Sequence, residues 1–491
     1  MSTQHPDNVH KPFFASSSVL GSEDEIKEAY HAFHHLGIKE QLWDFEGKET
    51  DAFVVKKLLM QYPDLFEGDK GKRLGRDYHL TYRVPNPDVE RSDAKLLLET
   101  LESIPRSFDA MRHFYAHSYR APDAFAPIQE VYLPMCTSAA QLSRIADYYR
   151  RFVAGKQHAK VHDTTVGEWI GDFKPESIRV TGLFENKEGI LGAADIAQRY
   201  IKNQGVKDYQ RVWFARSDPA LNYGSIATVL LVKTGLARLH ALQERSGVAI
   251  LPIIGCGSAP FRGNLKPTNA DDIMDGYPSV QTYTLQSAFK YDYPEHEVID
   301  AVERINSRRR REPWPVDEKM ALPLMRTLMA AYRSEIRLLA PWVNEFASQI
   351  PQRRKRKQHI GLFGYSREAG VEGKRSEKNM IHLPRAITFC ASFYSWGLPP
   401  ELLGLSTLTR RHLETLDPFY PNVRSDLGDA LQYLNKHNLR YFPRPVVKRM
   451  EKTLELFDFS VDDVDERHRI LTTQIPQMYK NKEFAAMRHL I

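Results

Sequence analysis

The sequence predicts an α/β chain, a closed (β/α)8 TIM-like barrel with extensive additional helices. Eight short segments read as strands: Gln41–Glu46, Tyr78–Val84, Glu130–Cys136, Ile178–Phe184, Arg211–Ser217, Ala249–Gly255, Val280–Leu285 and His359–Ser366. Several are apolar throughout, as parallel strands covered on both faces must be. Helical or long irregular stretches separate them, and no internal repeat or low-complexity linker interrupts the series.

The elements follow in order. Ser22-Glu23-Asp24-Glu25 has the form of a capping box, Ile26, Tyr30, Phe33 and Leu36 supply an apolar face, and Gly37 stops the helix. Leu221 to Ser246 is helical by period, with Leu230, Leu231, Leu236, Leu239 and Leu242 available for burial. Val316 to Ile350 reads as one long helix, or a pair broken near Pro341, with Pro323 bending its beginning. From Pro384 onward a further helical region begins. The expected organisation is one elaborated domain over 1–491, with the barrel over approximately 40–370 and a C-terminal helical layer over approximately 384–491.

At 491 residues with 42% hydrophobic and 26% charged side chains, the chain has ample material for a core. No run approaches the ~18 consecutive apolar residues of a membrane span. The N-terminal residues are polar, unlike a signal peptide. The three cysteines, Cys136, Cys256 and Cys390, have no metal-like spacing. A reducing, cytoplasmic setting is expected, with no membrane partner. The charge of +6 is concentrated in Arg308–Arg311 and Arg353–Lys357. Without interleaved aromatics or a binding module, these runs read as solvated faces or subunit contacts, and no nucleic-acid partner is expected.

Barrel chemistry sits at the C-terminal strand ends. Glu185 and Asp218 each follow a short apolar run, and two carboxylates can share a hard divalent cation. The segment Gly255-Cys256-Gly257-Ser258-Ala259-Pro260-Phe261-Arg262-Gly263-Asn264 follows the next run. A glycine-rich turn holding an arginine suits a phosphate, through close backbone approach and bidentate donation. Asp44, Glu46, Arg83 and Arg367 lie at further strand ends and complete a charged mouth, with Asp44 and Glu46 placed in a first or second metal shell. Metal and phosphate together point to phosphoryl chemistry.

In these residues the chain resembles phosphoenolpyruvate carboxylase, in its short archaeal-type branch. Ser2-Thr3-Gln4-His5-Pro6-Asp7-Asn8 is similar to that branch's N-terminal signature. Leu183-Phe184-Glu185, Ser217-Asp218, the Gly255–Gly263 loop, Phe289-Lys290-Tyr291, Ser366-Arg367 and Arg385-Ala386-Ile387 resemble family elements in the same order along the chain. The departures are Cys256 at the loop's first arginine, Ile254 at a histidine, Leu221 at a lysine and the C-terminal Arg488-His489-Leu490-Ile491.

The resemblance implies a barrel of the phosphoenolpyruvate/pyruvate type that joins phosphoenolpyruvate and bicarbonate into oxaloacetate and inorganic phosphate. It implies a route through carboxyphosphate and a metal-stabilised pyruvate enolate. Mg2+ is the expected cofactor, with Mn2+ the alternative, on Glu185 and Asp218. His5, Arg262 and Arg367 are the expected catalytic groups, and Arg83, Arg262, Arg367 and Arg385 the substrate-binding ones. A homotetramer is implied by the resemblance alone.

Overall fold

The computed structural model describes residues 1–3, 12–15, 22–45, 53–66, 72–116, 125–351, 368–369, 381–459 and 466–481. Its frame is an eight-stranded parallel sheet. In order around the sheet these are β1 (Ser2–Thr3), β2 (Glu40–Asp44), β3 (His79–Arg83), β4 (Ile128–Leu133), β5 (Arg179–Phe184), β6 (Tyr209–Ala215), β7 (Ala249–Gly255) and β8 (Thr282–Tyr283). A parallel bridge from Ser2 to Leu285 joins the two edges and closes the sheet into a barrel. There Thr3 N donates to Leu285 O at 3.1 Å and Leu285 N to Met1 O at 2.8 Å. Closure leaves no barrel edge to solvent.

Seven of the expected strands are present, Ala249–Gly255 with the expected bounds and the other six with shifted ends. The eighth position is held by Ser2–Thr3, and the segment His359–Ser366 expected there lies outside the described residues. A two-residue strand has no period to read, which is why it escaped the sequence pattern. The run expected to extend through Ser217 ends at Ala215, and Ser217–Tyr223 is a helix, so Asp218 sits in a helix's first turn and not on a strand. The following helix begins at Ser225, because Gly224 adopts φ 86°. The long helix is a single element, Glu318–Ala347, that accommodates both Pro323 and Pro341.

Helix Ser225–Ser246 is long and apolar enough to cross a membrane by length and composition. It is mostly buried instead, packed against helices Lys187–Gln204 and Glu318–Ala347 and strand β7. That is the position of a core helix, and its apolar surface is consumed by the layer around the barrel. Helix Ala386–Ser395 and the elements after it pack against Glu318–Ala347 and over the mouth-side turns.

The run Arg308–Arg311 is tied down rather than free. Arg308 donates to Val280 O and lies over the Tyr283 ring, Arg310 donates to Ile250 O, and Arg311 pairs with Asp275. These contacts hold the chain after helix Glu295–Ser307 against the starts of β7 and β8. The second run, 353–357, lies outside the described residues.

Candidate active site

Asp44, Arg83, Glu185, Asp218 and Arg385 are placed by strand ends and helix starts, and Arg262 by a loop. Arg83 is the last residue of β3, and Asp44, the last of β2, is its partner in the strand register. Their side chains meet accordingly: Arg83 Nε donates to Asp44 Oδ1 at 3.0 Å and Nη2 to Oδ2 at 2.5 Å, in a buried bidentate pair. Asp44, expected in a first or second metal shell, holds Arg83 in place. Glu46 lies outside the described residues.

Glu185 directly follows β5, and its Oε2 accepts the Met135 N–H at 2.7 Å. Met135 holds φ 49°, a left-handed conformation that a non-glycine residue adopts at a cost, and so turns its amide toward the carboxylate. Asp218 follows β6, the strand paired with β5 through Phe184 and Phe214. Burial raises its carboxyl above the ordinary range, while Arg262, Arg385 and Arg83 pull it back down. Those three cations come from three separate parts of the chain, and the fold gathers them around one acid.

Arg262 ends a single turn of 3-10 helix, Pro260–Arg262, inside the glycine-rich loop. The loop is closed on itself by Gly257 N to Arg262 O at 2.9 Å and Leu265 N to Gly257 O at 2.9 Å. A Cβ on Gly257 would fall 2.7 Å from the Arg262 guanidinium carbon, so only glycine lets that side chain fold back across the loop. Gly263, at φ 120°, passes Cys256 equally closely. Arg262 Nε donates to Ser217 Oγ at 3.2 Å and Nη2 to Gln286 Oε1 at 2.7 Å. Its guanidinium is 8% exposed as a residue, and Nη1 donates to none of the described residues. Arg385 is the N-cap of helix Ala386–Ser395, not a member of it.

His5 and Arg367 lie outside the described residues. Thr3, two residues before His5, belongs to a strand parallel to its neighbours and faces the same barrel end as Asp44 and Arg83. Ser217 and Gln286, which orient Arg262, were not anticipated. Ser217 adjoins a candidate acid and could have been found from that; Gln286 carries no local signal.

These residues fit a hard divalent cation. Two carboxylates follow adjacent strands, and no hydrogen bond from the described residues reaches that of Asp218. Among the described residues there is no cluster of three or more His, Cys, Asp or Glu. A cation held here would keep coordination positions for water or substrate oxygens.

Comparison with known proteins places the chain in a family. A family model described as phosphoenolpyruvate carboxylase matches residues 1–491. The phosphoenolpyruvate carboxylase of Methanospirillum hungatei is 48% identical over 477 residues, covering 97% of this chain and 93% of the relative. That of Pyrococcus furiosus is 51% identical over 436 residues, covering 89% and 88%. That of Methanothermobacter thermautotrophicus is 46% identical over 493 residues, covering 100% and 96%. Identity at this level across nearly the whole of each chain leaves one assignment: the protein belongs to the phosphoenolpyruvate carboxylase family.

Proposed function

We propose that the protein carboxylates phosphoenolpyruvate with bicarbonate, giving oxaloacetate and inorganic phosphate. The observation that carries this reading is Arg83, Arg262 and Arg385 gathered around Asp218, in a chain that matches the family from end to end. Bicarbonate oxygen attacks phosphorus and the bridging oxygen leaves as the enolate of pyruvate, so the phosphoryl group passes to bicarbonate as carboxyphosphate. Carboxyphosphate then parts into carbon dioxide and phosphate, and the enolate carbon forms its new bond to carbon dioxide.

Arg262 contacts the phosphoryl oxygens in this scheme. Its guanidinium is already oriented by Ser217 and Gln286, so little ordering is left for the reaction. Arg83, held by Asp44, and Arg385 add positive charge where charge moves between oxygens. Glu185 and Asp218 would hold Mg2+ or Mn2+, which supplies Lewis acidity toward phosphoryl and enolate oxygens. His5 exchanges a proton near neutrality and acts after carboxyphosphate has formed. Arg367 is a further phosphate-binding group.

The test is oxaloacetate formation from phosphoenolpyruvate, bicarbonate and Mg2+, followed as NADH loss through added malate dehydrogenase, with phosphate release recorded in parallel. Oxaloacetate that depends on bicarbonate and metal, and is lost in Glu185→Ala, is expected. His5→Asn should release phosphate without matching oxaloacetate. Folded wild-type enzyme that forms no oxaloacetate under any divalent metal would overturn the reading.

A further inference from the structure

Behind the Arg262 loop lies a pair of buried polar groups that the reaction scheme does not use. The Phe261 N–H donates to Tyr394 Oη at 3.4 Å, and the Tyr394 O–H donates in turn to Glu401 Oε1. Tyr394 lies in helix Ala386–Ser395, which Arg385 caps, and Glu401 lies in the short turn Pro400–Leu402 that follows. Tyr394 and Glu401 are each 1% exposed, and Glu401 Oε2 has no close hydrogen-bond partner among the described residues. The Phe261 ring also packs on Phe389 of the same helix, with centroids 5.3 Å apart.

Burying a carboxyl group with one oxygen unsatisfied works against stability, and an apolar side chain would fill the same space at less cost. The arrangement instead gives the loop backbone a polar anchor at the residue next to Arg262. It also joins that loop to the helix that Arg385 caps.

We infer that Tyr394 and Glu401 are positioning residues for phosphoenolpyruvate. Through the Phe261 amide they fix the loop at the height where Arg262 meets the phosphoryl group, and they hold it in register with Arg385. This rests on the reading of Arg262 as a phosphate ligand.

Burial pushes the Glu401 carboxyl up to about 7, with the Tyr394 hydroxyl and the Glu401 and Phe261 amides pulling it back. The titratable and charged groups facing this pair are Cys390 of the Tyr394 helix, Tyr433, stacked on Tyr394, and Arg262 of the loop, which interacts with both Cys390 and Tyr394. As pH rises through that value Glu401 becomes a carboxylate, a stronger acceptor for the Tyr394 hydroxyl. The anchor therefore tightens on the alkaline side of neutrality.

Steady-state kinetics of the full chain with its divalent metal test this, using Tyr394→Phe, Glu401→Gln and Arg262→Lys alongside the wild type. Tyr394→Phe should raise KM for phosphoenolpyruvate about 5-fold with kcat and KM for bicarbonate close to wild type, and lower Tm, because it leaves the Phe261 amide and the Glu401 carboxyl without their shared partner. Glu401→Gln, a neutral isostere, should keep low-pH behaviour but lose the part of the KM change between about pH 6 and 8 that Glu401 supplies. An unchanged KM in Tyr394→Phe, or a pH profile of Glu401→Gln superimposable on wild type, overturns the inference. So does a fall in Tm and kcat with KM unmoved, which marks a merely structural pair. If Arg262→Lys raises KM while Tyr394→Phe does not, only the positioning role fails. If Arg262→Lys leaves KM unmoved, the phosphate-ligand reading fails and the inference with it.

Discussion

The two ends of the barrel use the same residue types for opposite purposes. At the N-terminal end, Arg211 of β6 points inward between two carboxylates. It donates to Glu40 Oε1 at 3.0 Å and Oε2 at 2.8 Å, to Glu130 Oε2 at 2.9 Å, and to Thr282 Oγ1 at 3.1 Å. Tyr132 Oη completes the set. One cation meets two anions there, and its fork of donors is engaged. At the C-terminal end, three arginines surround Asp218, and Arg262 keeps a nitrogen with no partner among the described residues. A buried charge that is fully paired is architecture; at the mouth, among the described residues, oriented cations lie beside an acid that accepts no hydrogen bond, the arrangement the proposed reaction uses.

Substitutions at the two ends should therefore separate activity from stability. The largest effect falls at the mouth. Asp218→Ala and Glu185→Ala should each lower kcat/KM by about 10³-fold or more. Asp218→Ala should leave Tm unchanged or higher, since it removes a carboxyl that burial disfavours. A large Tm loss in Asp218→Ala would break the contrast, by showing that the mouth is also architecture.

Next in size is Arg211→Met, which strips the cation from between Glu40 and Glu130. A loss of about 3–5 kcal/mol is expected in denaturant unfolding, with kcat/KM per folded molecule within about twofold of wild type. Asp44→Asn is smaller again. It weakens the bidentate hold on Arg83 and should raise KM for phosphoenolpyruvate several-fold, with a loss of stability smaller than that of Arg211→Met because asparagine still accepts from the guanidinium.

The smallest effect is one of pH. Burial pushes the Glu40 carboxyl up, but Arg211, with the N-terminal ammonium and the Tyr132 hydroxyl, brings it down to about 2. A depressed carboxyl stabilises the fold above its ordinary value of 4.5 and loses that contribution as pH falls through about 2. Arg211→Met should then unfold at a higher pH than wild type in an acid titration followed by circular dichroism. Coincident acid transitions would mean that Glu40 is not held by Arg211.

Much of the mouth was legible because strand ends announce themselves. Apolar runs stop where polar residues begin, and Glu185 follows such a stop directly, Asp218 within three residues of one. The glycine-rich loop was legible for a similar reason, since glycines at 255, 257 and 263 around an arginine imply a turn that approaches a ligand closely. The bottom network left no such trace. Arg211 opens the run that marks β6, where the pattern shows a strand and nothing of what this side chain, third in the observed strand, meets.

The sequence by itself determined the strand segments, the parallel class, the acids near two strand ends and the loop that carries Arg262. All of these are set by residues within a few positions of one another. Only the tertiary structure decided that Ser2–Thr3 closes the barrel, across to Leu285. It alone paired Asp44 with Arg83, across 39 residues, and set Tyr394 beneath Phe261, across 133. Such partners are chosen by the register of a closed sheet and the packing of helices upon it. Contacts of that range depend on where whole elements come to rest, and no local period encodes them.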